Sequence, residues 1–133
     1  MTLSSPTPPS LAPAPPPLRG ASPPARFAAE LLGYALDLSA ADILAPRRGQ
    51  AAAAAARQVA MYLLATAHEM SLTQVAASIG RDRSTVAHGL RVVEDRREDP
   101  RFDSWLQHLE DAVRLAAAAR PSRAEPGRNG AGR

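Results

Sequence analysis

The stretch that most constrains this chain contains two short helical patterns separated by a single glycine. It begins at Ser71 and reads SLTQVAASIGRDRSTVAHGLRVVE. Ser71 and Asp82 stand where helix N-caps are favoured, and Gly80 stands where a left-handed residue commonly ends a helix. The stretch therefore predicts one helix over residues 72–79, a turn, and a second helix over residues 83–97.

The start of the second helix is rich in side chains that can hydrogen-bond to base edges. These polar side chains follow directly after Gly80 and are Arg81, Asp82, Arg83, Ser84 and Thr85. In a helix-turn-helix, the first helix braces the second, whose N-terminal residues enter the major groove of DNA. The bracing pattern of small and apolar residues is provided by Val75, Ala76, Ile79 and Val86. This arrangement predicts a DNA-reading helix-turn-helix.

The patterns on either side of this stretch are also helical, and no β-strand pattern is present. Apolar residues at spacings of three and four predict a helix over residues 26–38, a short turn that stops before Pro46, and a final helix over 101–119. Residues 51–67 are apolar on nearly every side, which predicts the central and most buried helix. We therefore predict an all-α domain of about five helices over residues 26–120.

The two ends of the chain differ from this domain in composition. Residues 1–25 hold nine of the 13 prolines, with mostly serine, alanine and threonine between them. Such a segment cannot bury enough apolar surface to offset the entropy lost on ordering. Residues 121–133 are proline, serine, glycine, alanine and arginine, with single glutamate and asparagine residues. We expect a disordered Pro-rich arm over residues 1–25 and a disordered tail over residues 121–133.

Composition excludes several classes of site. The chain has no cysteine, which excludes disulfides, thiolate metal sites and cysteine nucleophiles. His88 has no second histidine or acid at helical ligand spacing, so we expect no metal site and no cofactor. Ser84 and Thr85 lack a converging base and acid, so we expect no enzyme. No stretch approaches the about 20 apolar residues of a membrane-spanning helix, so we expect no membrane association.

The charges are distributed unevenly along the chain. All 16 basic residues are arginine. Residues 43–93 carry six arginines against two acids, a balance of +4, whereas residues 94–111 carry seven acids against three arginines, a balance of −4. The basic part includes the predicted recognition helix. Arg96, Arg97 and Arg101 alternate with acids, which we interpret as a solvated face whose charges pair with one another.

A longer stretch resembles a known family. From Arg57 the chain reads RQVAMYLLATAHEMSLTQVAASIGRDRSTVAHGLRVVE. This is similar to the C-terminal DNA-binding domain (domain IV) of the bacterial replication initiator DnaA, whose pattern is RQ-A-YL, then SL--I, then G-RDH-TV-HA-RK-E. The resemblance covers roughly residues 26–115. It implies binding to a DnaA box, a nine-base-pair element of replication origins.

The resemblance assigns a role to each matching position. Base contacts in the major groove fall on Arg81, Asp82, Arg83, Ser84 and Thr85. A minor-groove contact falls on Arg47 or Arg48, in the loop before the central helix. Phosphate contacts fall on Arg57, Gln58, Ser71, Leu72, Thr73 and His88.

The chain departs from the family pattern in three ways. Arg83 stands where the family has histidine, and arginine favours guanine O6 and N7. A single Gly80 stands where the family has two glycines, which shortens the turn by one residue. A nucleotide-binding loop of the initiator's ATPase needs a lysine, and the chain has none, so we expect a freestanding DNA-reading domain without ATPase activity.

The leading hypothesis is a monomeric, cytoplasmic, nucleoid-associated protein that binds DnaA-box-like DNA and modulates replication initiation. Double-stranded DNA is the expected partner, with the full-length initiator or other replication proteins as further candidates. Two alternatives stay open. One is a transcriptional regulator with a different operator, and the other is a protein-interaction module that acts through the acidic last helix or the Pro-rich arm.

Overall fold

The computed structural model describes residues 21–45 and 51–119, and in these ranges the chain is helical without any strand. The helices are α1 Pro23–Leu36, α2 Ala40–Leu44, α3 Ala51–Thr66, α4 Leu72–Ile79, α5 Arg83–Arg96 and α6 Pro100–Ala119. The all-α prediction is confirmed, and the turn predicted before Pro46 is the short helix α2. Residues 1–20, residues 46–50 with Arg47 and Arg48, and residues 120–133 with the predicted tail lie outside the described residues.

Helix α1 begins earlier than the sequence predicted. Ser22 is its N-cap and accepts a hydrogen bond from the N–H of Ala25 at 3.2 Å. Pro23 and Pro24 occupy the first two helical positions, where the missing N–H of proline has no intrahelical partner to lose. The predicted start at residue 26 was therefore too late, because these two prolines begin a helix instead of extending the arm.

The start of α1 is tied to the end of α4. The N–H of Ser22 donates to the carbonyl of Ser78 at 3.0 Å, and the two serine hydroxyls hydrogen-bond to each other. Ala25, in the first turn of α1, is fully buried. These contacts attach the first helix directly to the predicted helix-turn-helix.

Helix α3 is the centre of the domain, and all five other helices contact it. Its buried residues lie on most sides of the helix and are Ala53, Ala56, Val59, Ala60, Met61, Tyr62, Leu63 and Leu64. The prediction that residues 51–67 form the most buried helix is confirmed. The close approach of α5 is possible at Gly89, where an added Cβ would lie 3.1 Å from the Sδ atom of Met61.

A partly buried polar network around Arg97 joins α3, α5 and α6. The Nε atom of Arg97 lies 2.5 Å from Oδ1 of Asp103, and Nη1 lies 3.2 Å from Oε2 of Glu110. The Arg97 side chain is 17% exposed and that of Glu110 only 5%. The interpretation of Arg97 as part of a solvated face was wrong, because its partners come from α6 and α3. Arg96 instead lies over the ring of Phe102, 4.0 Å from the ring centroid.

Tyr62 of α3 is the second member of this network. Its hydroxyl donates to Oε1 of Glu94 at 2.5 Å and accepts from Nη1 of Arg97 at 3.2 Å. Burial, together with the hydrogen bond to Glu94, raises the pKa of Tyr62 above its usual value. Burial alone lowers the pKa of Arg97, but hydrogen bonds to Asp103 and Tyr62 and the charge of Glu110 raise it overall. The network therefore holds Tyr62 neutral and Arg97 charged.

Candidate nucleic-acid interface

Helices α4 and α5 are joined by a tight three-residue turn, Gly80 to Asp82. Gly80 is left-handed, with φ 75° and ψ 39°, and its N–H donates to the carbonyl of Ala76 at 2.9 Å. Ile79 before the turn and Val86 after it both belong to the buried core. The predicted helix-turn-helix and its glycine turn are therefore confirmed.

The first turn of α5 presents polar side chains to solvent. Arg83, Ser84 and Thr85 are all exposed, whereas Val86, Gly89 and Val93 on the opposite side of the helix are buried. Asp82 occupies the N-cap position as predicted, but its side chain makes no capping hydrogen bond. Its exposed carboxylate can accept a hydrogen bond from the N4 amino group of cytosine.

Arg81 differs from the other predicted base-contacting residues. Its side chain is half-buried, and Nη2 donates to the carbonyl of Ala45 at 2.6 Å. Ala45 is the C-cap of α2, directly after Leu44. The guanidinium of Arg81 therefore contacts the C-terminal end of α2, where the partial negative charge of the helix dipole favours a cation.

Arg57, a predicted phosphate contact, also contacts the end of α2. Its Nε atom donates to the carbonyl of Ile43 at 2.7 Å. Burial lowers the pKa of Arg57, and the nearby positive charge of Arg81 lowers it further. The structure brings these two arginines together, although they come from α3 and from the α4–α5 turn.

The N-terminus of α4 is closed by a capping box. The Ser71 hydroxyl accepts from the N–H of Gln74 at 3.1 Å, and the Gln74 side-chain oxygen accepts from the N–H of Ser71 at 2.8 Å. The Ser71 N–H is therefore used in the cap, whereas the hydroxyl only accepts there and keeps its own hydrogen as a donor. The N–H groups of Leu72 and Thr73 have no acceptor inside the helix, and such groups at a helix N-terminus suit an anion.

The other two predicted phosphate contacts lie where α3 and α5 cross. Gln58 is half-buried, and its Cγ atom is 3.3 Å from the position of a Cβ added at Gly89. His88, the residue before Gly89, is exposed. The close crossing at this glycine brings Gln58 of α3 against α5 beside the residue that follows the exposed His88.

The sequence of this segment is similar to that of a described family. The family of the bacterial dnaA protein helix-turn-helix matches residues 32–93. These residues contain a DnaA-like helix-turn-helix, and we refer to residues 32–93 as the DnaA-type domain. Such a domain is a DNA-binding domain, so the resemblance expected from the sequence is confirmed.

A named relative supports the same assignment for this DnaA-type domain. The chromosomal replication initiator protein DnaA of Lachnoclostridium phytofermentans is 44% identical over 55 residues. The aligned segment is 40% of this chain and 12% of that protein. The chain therefore corresponds to only a small part of this relative's length.

Arg91 is an exposed residue of the DnaA-type domain that the sequence analysis did not assign to the site. It lies on α5 seven residues after Ser84 and three after His88, which places all three on one side of the helix. The helical spacing of these polar residues was the available signal. The pattern that carried the resemblance drew attention to the first turn instead.

Two other kinds of site are absent from the described part of the domain. Residues 21–45 and 51–119 contain no group of three or more histidines or acids that could hold a metal ion. Within the same ranges, no helix is both long enough and apolar enough to cross a membrane.

Proposed function

We propose that this chain binds double-stranded DNA at DnaA-box-like sites of a replication origin and thereby modulates replication initiation. The observation that carries this proposal is the exposed, polar first turn of α5, held on a buried helix-turn-helix. A turn of this kind fits the major groove, which is about 12 Å wide. These polar side chains do not pack in the core, so they are available to contact DNA.

The proposed base readout uses the N-terminal end of α5. Arg83 donates to guanine O6 and N7, and the Asp82 carboxylate accepts from cytosine N4. Ser84 and Thr85 add hydrogen bonds, and the threonine methyl group can contact thymine. The sequence assigned Arg81 to the same set, but its contact with the end of α2 supports a different role, which is argued below.

The proposed phosphate contacts surround this end of the domain. The N–H groups of Leu72 and Thr73 bind one phosphate at the start of α4, with Ser71 shaping that helix end. Further contacts come from exposed or half-buried side chains on α3 and α5, which are Arg57, Gln58, His88 and Arg91. The minor-groove contact is assigned to Arg47 or Arg48, which lie between α2 and α3 in the sequence.

The direct test is binding of the full chain to a labelled DnaA-box duplex and to a scrambled duplex over a range of salt concentrations. With roughly four or five phosphate contacts, the logarithm of the binding constant should fall with the logarithm of salt at a slope of about −4. The box should bind more tightly than the scrambled duplex at every salt concentration. Equal affinities would refute sequence-specific binding.

The proposed cellular role is to compete with or assist the full-length initiator, as a nucleoid-associated cytoplasmic monomer without ATPase activity or a cofactor. Genome-wide crosslinking of the chain to DNA should give peaks centred on box sequences at the origin. Peaks at scattered promoters would contradict this role. They would support a transcriptional regulator, an alternative that Arg83 favours because it stands where the family has histidine.

A further inference from the structure

We propose that Arg81 is a positioning residue of the DNA interface, which fixes the end of α2 relative to the recognition helix α5. This inference rests on the proposed function, and it gives Arg81 a role different from base contact. The evidence is the geometry of two arginines at the C-terminus of α2.

The first step is the contact of Arg81 itself. Its Nη2 atom donates to the carbonyl of Ala45 at 2.6 Å, across 36 residues of sequence. Arg81 directly precedes Asp82, the N-cap of α5. One hydrogen bond therefore links the C-cap of α2 to the residue that precedes the N-cap of the recognition helix.

The second step is the contact of Arg57, which fixes the same helix end from another direction. Its Nε atom donates to the carbonyl of Ile43 at 2.7 Å. Carbonyls at a helix C-terminus lack intrahelical donors, and arginine side chains commonly satisfy them. The end of α2 is therefore held by α3 through Arg57 and by the α4–α5 turn through Arg81.

The third step is the charge of the pair. The ion pairs within residues 21–45 and 51–119 involve only Arg97 and Arg114, so neither Arg57 nor Arg81 is neutralised by a described acid. The two cations lie close enough for Arg81 to lower the pKa of Arg57. The contact with α2 keeps two like charges together beside the recognition helix, where they add to the attraction for DNA.

The fourth step separates this role from base contact. A base-reading arginine extends its planar guanidinium into the groove, as the exposed Arg83 is free to do. The half-buried guanidinium of Arg81 is instead directed at a protein carbonyl. Loss of Arg81 should therefore release α2 without changing which bases α5 prefers.

The test compares two substitutions of similar length at this position. Arg81→Lys keeps a donor that can reach the Ala45 carbonyl, whereas Arg81→Met keeps the apolar stem without a donor. Arg83→Met is the matched control, because Arg83 is exposed and makes no contact with α2. Circular dichroism first verifies that each variant has the helical content of the unchanged chain.

Hydrogen exchange without DNA is the first measurement. We expect the α2 amides of Ile43 and Ala45 to exchange about tenfold faster in Arg81→Met. Arg81→Lys and Arg83→Met should exchange like the unchanged chain. Unaltered exchange in Arg81→Met would overturn the proposed contact with α2, whatever the result with DNA.

DNA binding is the second measurement, with the box duplex, single-base variants of it and the scrambled duplex. Arg81→Met should lose about tenfold in affinity for the box, with the same base preferences, and Arg81→Lys should restore most of the loss. One phosphate contact contributes about 0.9 to the slope of the logarithm of the binding constant against the logarithm of salt concentration. In Arg81→Met this slope should change by less than half of that amount.

Three outcomes would overturn the positioning role. A change of preference at one base pair would identify Arg81 as a base reader, and a slope change of about 0.9 would identify a phosphate contact. Unchanged affinity in Arg81→Met would show that holding α2 has no effect on DNA binding. If the unchanged chain does not prefer the box, the proposed function fails together with this role, while hydrogen exchange still reports separately on the α2 contact.

Discussion

At the scale of single residues, the polar side chains in the first turn of α5 are exposed and take little part in folding. One side of the helix is buried in the core through Val86, Gly89 and Val93, whereas Arg83 is exposed on another side. Asp82 is an N-cap that does not use its carboxylate for capping. A substitution here should therefore affect DNA recognition more than folding.

The substitution Arg83→Ala is expected to cost roughly 1–3 kcal/mol of binding free energy at the box and to relax preference at one base pair. Arg91→Ala is the control on the same helix, since a phosphate contact should weaken box and scrambled duplexes alike and reduce the salt slope by about 1. Titrations against single-base variants of the box measure both effects. An Arg83→Ala protein with unchanged preference would show that Arg83 does not read a base.

A second residue-scale prediction concerns Tyr62, whose pKa is raised by burial and by its hydrogen bond to Glu94. A raised folded-state pKa stabilises the fold fully below the unfolded value of about 10, and this contribution is lost as pH rises through the folded pKa. The free energy of unfolding should therefore fall above about pH 10. Tyr62→Phe should lower it by about 1–2 kcal/mol at neutral pH and reduce the alkaline loss.

Tyr34 provides the control for this prediction, because it is the other tyrosine of the chain and is 89% exposed. Tyr34→Phe should leave stability nearly unchanged and leave Tyr62 as the single titrating phenol. Absorbance titration of that variant should give a midpoint above the usual value of about 10. A midpoint at or below it would contradict the burial argument.

At the scale of elements, two glycines permit close contacts of different kinds. At Gly33 in α1, an added Cβ would lie 2.5 Å from the backbone carbonyl oxygen of Leu38. At Gly89 in α5, the nearest atoms belong to the flexible side chains of Met61 and Gln58. The first contact is made with backbone that follows α1, and the second is made with side chains that can rotate away.

The substitution Gly33→Ala should therefore destabilise the fold by about 2–3 kcal/mol, because backbone must move. Gly89→Ala should change stability by less than about 1 kcal/mol, since the helix propensity gained by alanine offsets the displacement of Met61. Urea unfolding of both variants measures the difference. Equal destabilisation would show that the turn after Gly33 adapts as easily as a side chain.

At the scale of the whole molecule, the domain includes residues that composition had assigned to the Pro-rich arm. Ser22 caps α1 and bonds to Ser78 of α4, and Ala25 is fully buried. The start of the ordered domain is therefore set by contacts with the helix-turn-helix. Proline content alone did not reveal this boundary.

Two truncations test this boundary. Removal of residues 1–20 should leave the melting temperature nearly unchanged, because Pro-rich sequence of this kind is expected to bury little apolar surface. Removal of residues 1–25 should lower stability by at least about 1 kcal/mol through loss of the Ser22 cap alone. Equal melting temperatures for the two truncations would contradict the role of Ser22 and Ala25.

Much of the fold and part of the site could be predicted from sequence because their signals are local. The capping box at Ser71, the left-handed Gly80 and the apolar spacing of α3 each depend on residues within a few positions of one another. The same holds for the exposed first turn of α5. These features required no knowledge of the other helices.

Tertiary structure alone decided which distant groups the arginines contact. Arg97 pairs with Glu110 of α6 and with Tyr62 of α3, although acids adjacent in sequence suggested a solvated face. Arg81 lies in a run of polar residues that resembles a set of base readers, yet it donates to Ala45 at the end of α2. A long side chain has several partners within reach, and packing of the helices determines which carbonyl or carboxylate is nearest. Sequence by itself therefore determined the helices and the turn between α4 and α5, whereas tertiary structure determined which arginines remain free to meet DNA.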